Sequence, residues 1–278
     1  MIEDSRDPSD DAAHAAPATL RPKRKGLYVL PNAISLAALF AAFYAIVMAM
    51  NGRFEAAAYG IFASAVLDSL DGRVARMTHS QSAFGEQMDS LCDMVSFGAA
   101  PALIVYIWAL KDLGKWGWFP AFVYIAGAAL RLARFNTNIG VVDKRYFQGL
   151  PSPAAAALVM GLIWVADDAG LRGVTKIDWM AWTAFAVTLY AGLSMVTNAP
   201  FYSFKDVSFK KSVPFIVIVA IALGIAVINI HPPIVLFALF CIYGMSGYAV
   251  YAYKKAKGRP VSVIATSTDE PDEAGLHR

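Results

Sequence analysis

The sequence predicts an all-α, polytopic transmembrane bundle of about eight spans with both termini in the cytoplasm. Composition is the first reason. Of 278 residues 58% are hydrophobic and 16% charged, with a mean hydropathy of +0.49, and a soluble domain of this length needs far more polar surface. The second is clumping: runs such as 33–50, 215–230 and 234–252 approach the roughly 20 residues a helix needs to cross about 30 Å of hydrocarbon. The third is where the positive charges fall.

Along the chain, residues 1–25 are acidic and Pro/Ala-rich before a short basic run. No apolar stretch follows a basic start near Met1, so this reads as a disordered cytoplasmic tail and not a signal peptide. The spans predicted next are 33–50, 55–77, 84–110, 117–135, 153–167, 179–198, 213–230 and 232–252, forming one transmembrane domain over 26–253. His231-Pro232-Pro233 is a tight turn between the last two, because proline starts helices and blocks their continuation. Residues 254–278 are a basic and then disordered tail. Of the 24 Lys and Arg, 19 fall in the two tails and the even-numbered loops, leaving Arg53, Lys111, Lys115, Arg172 and Lys176 opposite. The positive-inside rule makes the rich side cytoplasmic. The basic runs 21–25 and 254–259 are topology signals and anionic-lipid contacts, not a nucleic-acid surface. Cys92 and Cys241 sit apart in apolar segments, which argues against a zinc site or a disulfide framework.

Chemistry concentrates in residues 68–93. Asp68 and Asp71 lie three apart at the end of span 2, and Asp89 and Asp93 four apart near the start of span 3. Each spacing puts two carboxylates on one helix face, and a short polar link brings the helices back antiparallel. Four carboxylates at a membrane interface repel one another and are costly to desolvate, more than Arg76 alone offsets. Hard divalent cations are the economical compensation, and a metal pair would form the clamp used in phosphoryl transfer. Single helix-end aspartates are often caps, and intramembrane acids often mark ion paths. A cation-coupled transporter is therefore the rival from another class; it predicts an inverted repeat with acids near the bilayer midplane, and spans 5–8 hold no second D-x2-D-like segment. Gly72 and Ala75 clear the helix face after Asp71; alone that would mean close helix packing, but beside a metal site a nucleotide becomes plausible.

These residues spell D-x2-D-G-x2-A-R-x8-G-x3-D-x3-D, eight fixed positions from Asp68 to Asp93. The pattern resembles the signature of the CDP-alcohol phosphotransferases, integral membrane enzymes of lipid synthesis. The resemblance implies that Asp68, Asp71, Asp89 and Asp93 bind two divalent metals, Mg²⁺ or Mn²⁺, with Asp93 also the general base. It further implies that Asn32, Gly72, Ala75, Arg76, Ser82 and Gly85 serve the CDP-diacylglycerol site. Pro31-Asn32-Ala33-Ile34-Ser35 is similar to the family's P-N-x-x-T stretch, with serine in place of threonine. The blocks at 96–102, 131–136 and 147–153 resemble bacterial CDP-diacylglycerol–serine O-phosphatidyltransferases of the membrane-embedded type. That subfamily implies L-serine as acceptor, an active site at the cytoplasmic face of a bacterial-type inner membrane, and a homodimer. None of the four histidines begins the H-x-K-x4-D motif of the phosphohistidine type. Serine's carboxylate calls for an arginine, from Arg131 or Arg134, with hydrogen bonds from Asn136 or Ser152. The same arginines could instead anchor a helix end or pair with the acids. Choline, inositol, inositol phosphate and glycerol 3-phosphate are the alternative acceptors.

Overall fold

The computed structural model describes residues 29–78, 80, 82–137, 146–171, 178–203 and 215–257. Residues 1–25 and most of 254–278, with the basic residues Lys144, Arg145, Arg172, Lys176, Lys205, Lys210 and Lys211, lie outside them.

Helix α1 (Val29–Met50) takes Pro31 in its first turn, where no amide donor is needed. It ends at Gly52, whose φ of 70° allows Gly52 N–H to reach Ala49 O and Arg53 N–H to reach Met48 O. The chain then returns as α2 (Phe54–Met77) along α1. A Cβ at Gly60 would stand 2.9 Å from Ala41 O, so glycine is what lets these helices touch backbone to side chain.

The third predicted span is not one regular helix. It is α3 (Ala83–Asp93), a π-helical segment (Met94–Ala99) and α4 (Ala100–Trp108), followed by a 3-10 turn (Leu110–Trp116). Pro101 explains the π segment. It lacks the N–H that would bond Phe97 O, and its ring crowds that carbonyl, so the helix widens there. Tyr124 on α5 (Trp118–Thr137) satisfies the freed oxygen with its hydroxyl, at 2.9 Å.

After α5, strand β1 (Tyr146–Gln148) leads to α6 (Ser152–Asp168), the central helix, buried almost throughout from Ser152 to Trp164. Helix α7 (Asp178–Val196) crosses α5 at Gly127 and Gly192, where a Cβ added at Gly127 would stand 2.3 Å from Gly192 O and one added at Gly192 2.8 Å from Tyr124 Cα. Strand β2 (Pro200–Tyr202) pairs antiparallel with β1, a small departure from an all-α fold. Helices α8 (Phe215–Ile230) and α9 (Pro232–Ala256) meet at His231, with the two prolines opening α9 as expected. α9 packs on α6, and α8 on α9.

The interior is rich in alanine, including Ala42, Ala57, Ala100, Ala128 and Ala155, while Phe40, Phe43, Phe122, Ile242 and Met245 face outward. Such a surface suits lipid and not water. Among the described residues, four helices are long and apolar enough to cross a membrane: Leu30–Met50, Ala83–Trp108, Trp179–Val196 and Pro232–Ala256. α6 and α8 are short, and α2 and α5 carry the charges described next. Exposed Trp118 and Trp179 open α5 and α7 at the end away from the aspartates, as in an interfacial aromatic belt.

Candidate functional site

The acids arrive on two helices joined by a short link: Asp68 and Asp71 toward the end of α2, Asp89 and Asp93 in α3. One carboxylate oxygen from each of Asp68, Asp71 and Asp89 lies within 4.8 Å of the other two. Asp93, one turn beyond Asp89, stands in hydrogen-bonding contact with Asp68. Asp71 is only 5% exposed, and its Oδ2 accepts a 2.6 Å hydrogen bond from Ser35 Oγ on α1. Charged carboxylates this close repel by about 3 kcal/mol per pair at an effective dielectric near 20. Three pairs together rival the net stability of a typical domain, so the cluster requires a compensating cation or bound protons. Every donor is a carboxylate oxygen, the set that hard divalent cations take. The residues fit a metal.

Beside the acids, Ser82 caps α3 by accepting Gly85 N–H at 3.0 Å. A Cβ on Gly85 would lie 3.2 Å from both Asn32 Oδ1 and Ser82 Oγ. Glycine thus lets the start of α3 lie against the first turn of α1, which brings Asn32, Ser82 and Gly85 together. Gly72 is different. It is exposed, and an added Cβ would meet nothing within 4 Å among the described residues. Close packing against another helix therefore does not account for it. Ala75 is half-buried and Arg76 exposed along the same stretch.

The four remaining predicted residues divide. Arg131 donates from Nη1 to Ser152 Oγ at 2.7 Å, and Ser152 is fully buried at the start of α6. The Arg131 guanidinium lies within electrostatic reach of Asp93. Arg134, one turn on, donates to Val196 O, the last carbonyl of α7, at 3.1 Å and to the Asn198 side-chain Oδ1 at 3.3 Å. That is the anchoring alternative for this arginine. Asn136 donates to Ser90 Oγ at 3.1 Å, tying the end of α5 to α3 beside Asp89.

Sequence reasoning missed Ser90 and Asn198, together with Gln148, whose Nε2 donates to Asn198 Oδ1 at 2.8 Å. Their partners are 46 to 64 residues distant, and no local spacing marks such pairs. Ser35 was visible only as a motif position, and its bond to Asp71 was not.

The model of a family described as CDP-alcohol phosphatidyltransferase matches residues 28–197. Similar proteins named CDP-diacylglycerol–serine O-phosphatidyltransferase occur in distant organisms. The one from Helicobacter pylori (strain 26695) is 34% identical over 220 residues, covering 79% of this chain and 90% of its own. That of Mycobacterium leprae is 30% identical over 235 residues, covering 81% and 76%. That of the archaeon Methanocaldococcus jannaschii is 32% identical over 189 residues, covering 68% and 82%.

Proposed function

The chain belongs to the CDP-alcohol phosphatidyltransferase family, and on that premise we propose that it transfers the phosphatidyl group of CDP-diacylglycerol to the hydroxyl of L-serine, giving phosphatidylserine and CMP. One observation carries this reading: Asp68, Asp71 and Asp89 converge within 4.8 Å beside the open face at Gly72. Serine as acceptor is supported by the names of the relatives.

In this reading the eight helical passes, counting α3–α4 as one, are eight spans with both termini cytoplasmic. Residues 26–253 are the catalytic domain between two cytoplasmic tails. The acids then lie at the cytoplasmic face of a bacterial-type inner membrane, where a water-soluble acceptor meets a lipid donor, and the protein acts as a homodimer.

Asp68, Asp71 and Asp89 would hold two divalent metals, Mg²⁺ or Mn²⁺, with Asp93 at their edge. Divalent cations held there would supply Lewis-acid stabilisation of the charge that develops on the departing CMP. Gly72 and Ala75 form a flat bed for the CDP moiety, lined by Arg76, Asn32, Ser82 and Gly85. Asp93 takes the serine hydroxyl proton as that oxygen bonds to the diacylglycerol-linked phosphorus. The bond from this phosphorus to CMP breaks in the same in-line displacement, without a covalent enzyme intermediate. A carboxylate is a weak base for an alcohol, so positioning supplies much of the acceleration. Arg131, braced by Ser152, receives the serine carboxylate, while Arg134 and Asn136 hold α7 and α3 around it.

The test is CMP release by detergent-purified protein from CDP-diacylglycerol, with Mg²⁺ or Mn²⁺ and serine, inositol, choline or glycerol 3-phosphate offered separately. Release with serine alone, lost on chelation and reduced about 10²- to 10⁴-fold in Asp93→Asn, is the expected result. Release with a different acceptor would keep the chemistry and move the substrate. No release with any acceptor from folded, metal-loaded protein would end the enzyme reading.

A further inference from the structure

The end of the bundle away from the aspartates holds a cleft of about 340 Å³, between the α1–α2 turn and the 3-10 turn that follows α4. Phe54, which lines it, stands 17 residues before Asp71 on α2, about 26 Å along that helix, so the cleft is no part of the acidic site. Its volume falls in the range of about 300–1,000 Å³ that small-molecule sites occupy. Met50, Phe54 and Ile107 make an apolar side, and Trp108, only 7% exposed, forms the floor. A Cβ added at Gly52 would meet nothing within 4 Å among the described residues, so the α1–α2 turn leaves its wall of the cleft open.

Lys111 and Asp112 stand at the rim, exposed and adjacent in the chain, and no ion pair among the described residues engages either. One ammonium and one carboxylate cancel, so the cleft complements neither a simple anion nor a simple cation. It complements a ligand that carries both charges close together. Lys111 suits a phosphate as a point charge. Asp112 and the Trp108 indole suit an ammonium, the first by charge and the second by its aromatic face. Exposed Trp116 and Trp118 follow in the same segment, as amphipathic rings do where a bilayer meets water. A soluble zwitterion has no use for the apolar side of the cleft, whereas an acyl chain at that level does.

We propose that this cleft binds one phospholipid whose headgroup carries an ammonium beside its phosphate. Lys111 takes the phosphate, Asp112 and Trp108 take the ammonium, and Met50, Phe54 and Ile107 receive the start of an acyl chain. The bound lipid bridges the α1–α2 turn to the 3-10 turn and so stabilises this end of the bundle. The transferase reading is not needed for it, because neither these residues nor their test touch the acidic site.

The experiment follows the melting midpoint of the full chain, delipidated in detergent, as phosphatidylethanolamine, phosphatidylglycerol or water-soluble glycerophosphoethanolamine is titrated in. Native mass spectrometry counts the lipid retained. Lys111→Gln and Asp112→Asn change exposed side chains and leave the fold intact. The expected result is one phosphatidylethanolamine retained per chain and a midpoint that rises until that site is filled. Phosphatidylglycerol, which has no ammonium, reaches half of its effect only at about three- to tenfold higher mole fraction. Lys111→Gln raises the half-maximal mole fraction of phosphatidylethanolamine by a similar factor, about three- to tenfold. Asp112→Asn raises it for phosphatidylethanolamine alone, so the preference over phosphatidylglycerol closes. Equal response of the wild type to the two lipids, or wild-type binding in either variant, would overturn the proposal. A full midpoint rise with glycerophosphoethanolamine alone would overturn a lipid as the occupant. The comparison of lipids on the wild type stands without the variants.

Discussion

Adding one methyl group at Gly72 asks whether the open face of α2 is a bed for a ligand or merely bare surface. Glycine inside a helix costs about 1 kcal/mol relative to alanine. Nothing among the described residues stands within 4 Å of the new Cβ, so no packing is lost to offset that gain. Gly72→Ala should therefore stabilise the protein by about 0.5–1 kcal/mol, raising its melting midpoint by about 2 °C. The same methyl protrudes about 1.5 Å into the space where the cytidine moiety would lie. Displacing a flat group by that distance forfeits much of its dispersion contact, and a loss of about 1.5–3 kcal/mol corresponds to a factor of roughly 10 to 100 in KM. The assay pairs thermal unfolding with CMP release over a CDP-diacylglycerol titration at saturating serine, on one preparation. A stabilised variant with the wild-type KM for CDP-diacylglycerol would refute the ligand bed. A destabilised one would refute the open geometry itself. Gly60→Ala on the same helix is the contrast: its Cβ would stand 2.9 Å from Ala41 O and Ala45 Cβ, and should cost about 1–3 kcal/mol.

Ser35→Ala removes the hydrogen bond to Asp71; a charged acceptor makes that worth about 1.5–3 kcal/mol, so the metal concentration for half-maximal activity should rise roughly 10- to 100-fold, read by titrating Mn²⁺ into stripped protein. Arg134→Ala frees the last carbonyl of α7 and the Asn198 side chain and should lower thermal stability by about 1–2 kcal/mol while the serine KM moves less than about threefold. A large KM change in a stable Arg134→Ala protein would return that residue to the acceptor pocket.

Much of this molecule is legible in its sequence because hydropathy and the aspartate spacing are local signals. Each predicted span corresponds to helical structure, with boundaries displaced by no more than a turn or so, and among the described residues four of these helices are long and apolar enough to cross a membrane. α1 begins at Val29 where the apolar run suggested 33, because Pro31 suits the first turn of a helix. The paired spacings of the acids put three of the four within one small sphere. What the sequence hides is tertiary. Arg131 and Arg134 are indistinguishable on paper, one turn apart in a single motif, and they part company only because Ser152 and Val196 arrive from other elements. Ser82 reads equally as a nucleotide ligand or a cap, and its bond to Gly85 shows that capping is at least one of its tasks. The β1–β2 ribbon is three residues per strand, too short to carry an alternation. The π segment had a local cause in Pro101, and that cause is lost when a proline inside an apolar run is read as part of a span.

That segment also governs how Arg131 meets Asp93. The first α-helical stretch, α3, ends on Asp93, and the next six residues carry the wider turn before α4 resumes. Its freed carbonyl, Phe97 O, is held by Tyr124, which is fully buried on α5. Arg131 lies seven residues after Tyr124, two turns along on the same face of that helix. Together with the bond from Asn136 to Ser90, this hydrogen bond sets the height of α5 against the acidic helix, and with it the placing of Arg131 relative to Asp93. Tyr124→Phe leaves a buried carbonyl unsatisfied, costing about 1–3 kcal/mol of stability. If the bond merely fills a gap, that loss is the whole effect. If it sets the register of α5, the serine KM should rise along with the stability loss, and a suppressing Pro101→Ala, which restores an N–H to Phe97 O, should recover stability without recovering KM. A Tyr124→Phe protein with a wild-type serine KM would mean that Arg131 is placed by Ser152 and the Asn136–Ser90 tie without help from Tyr124.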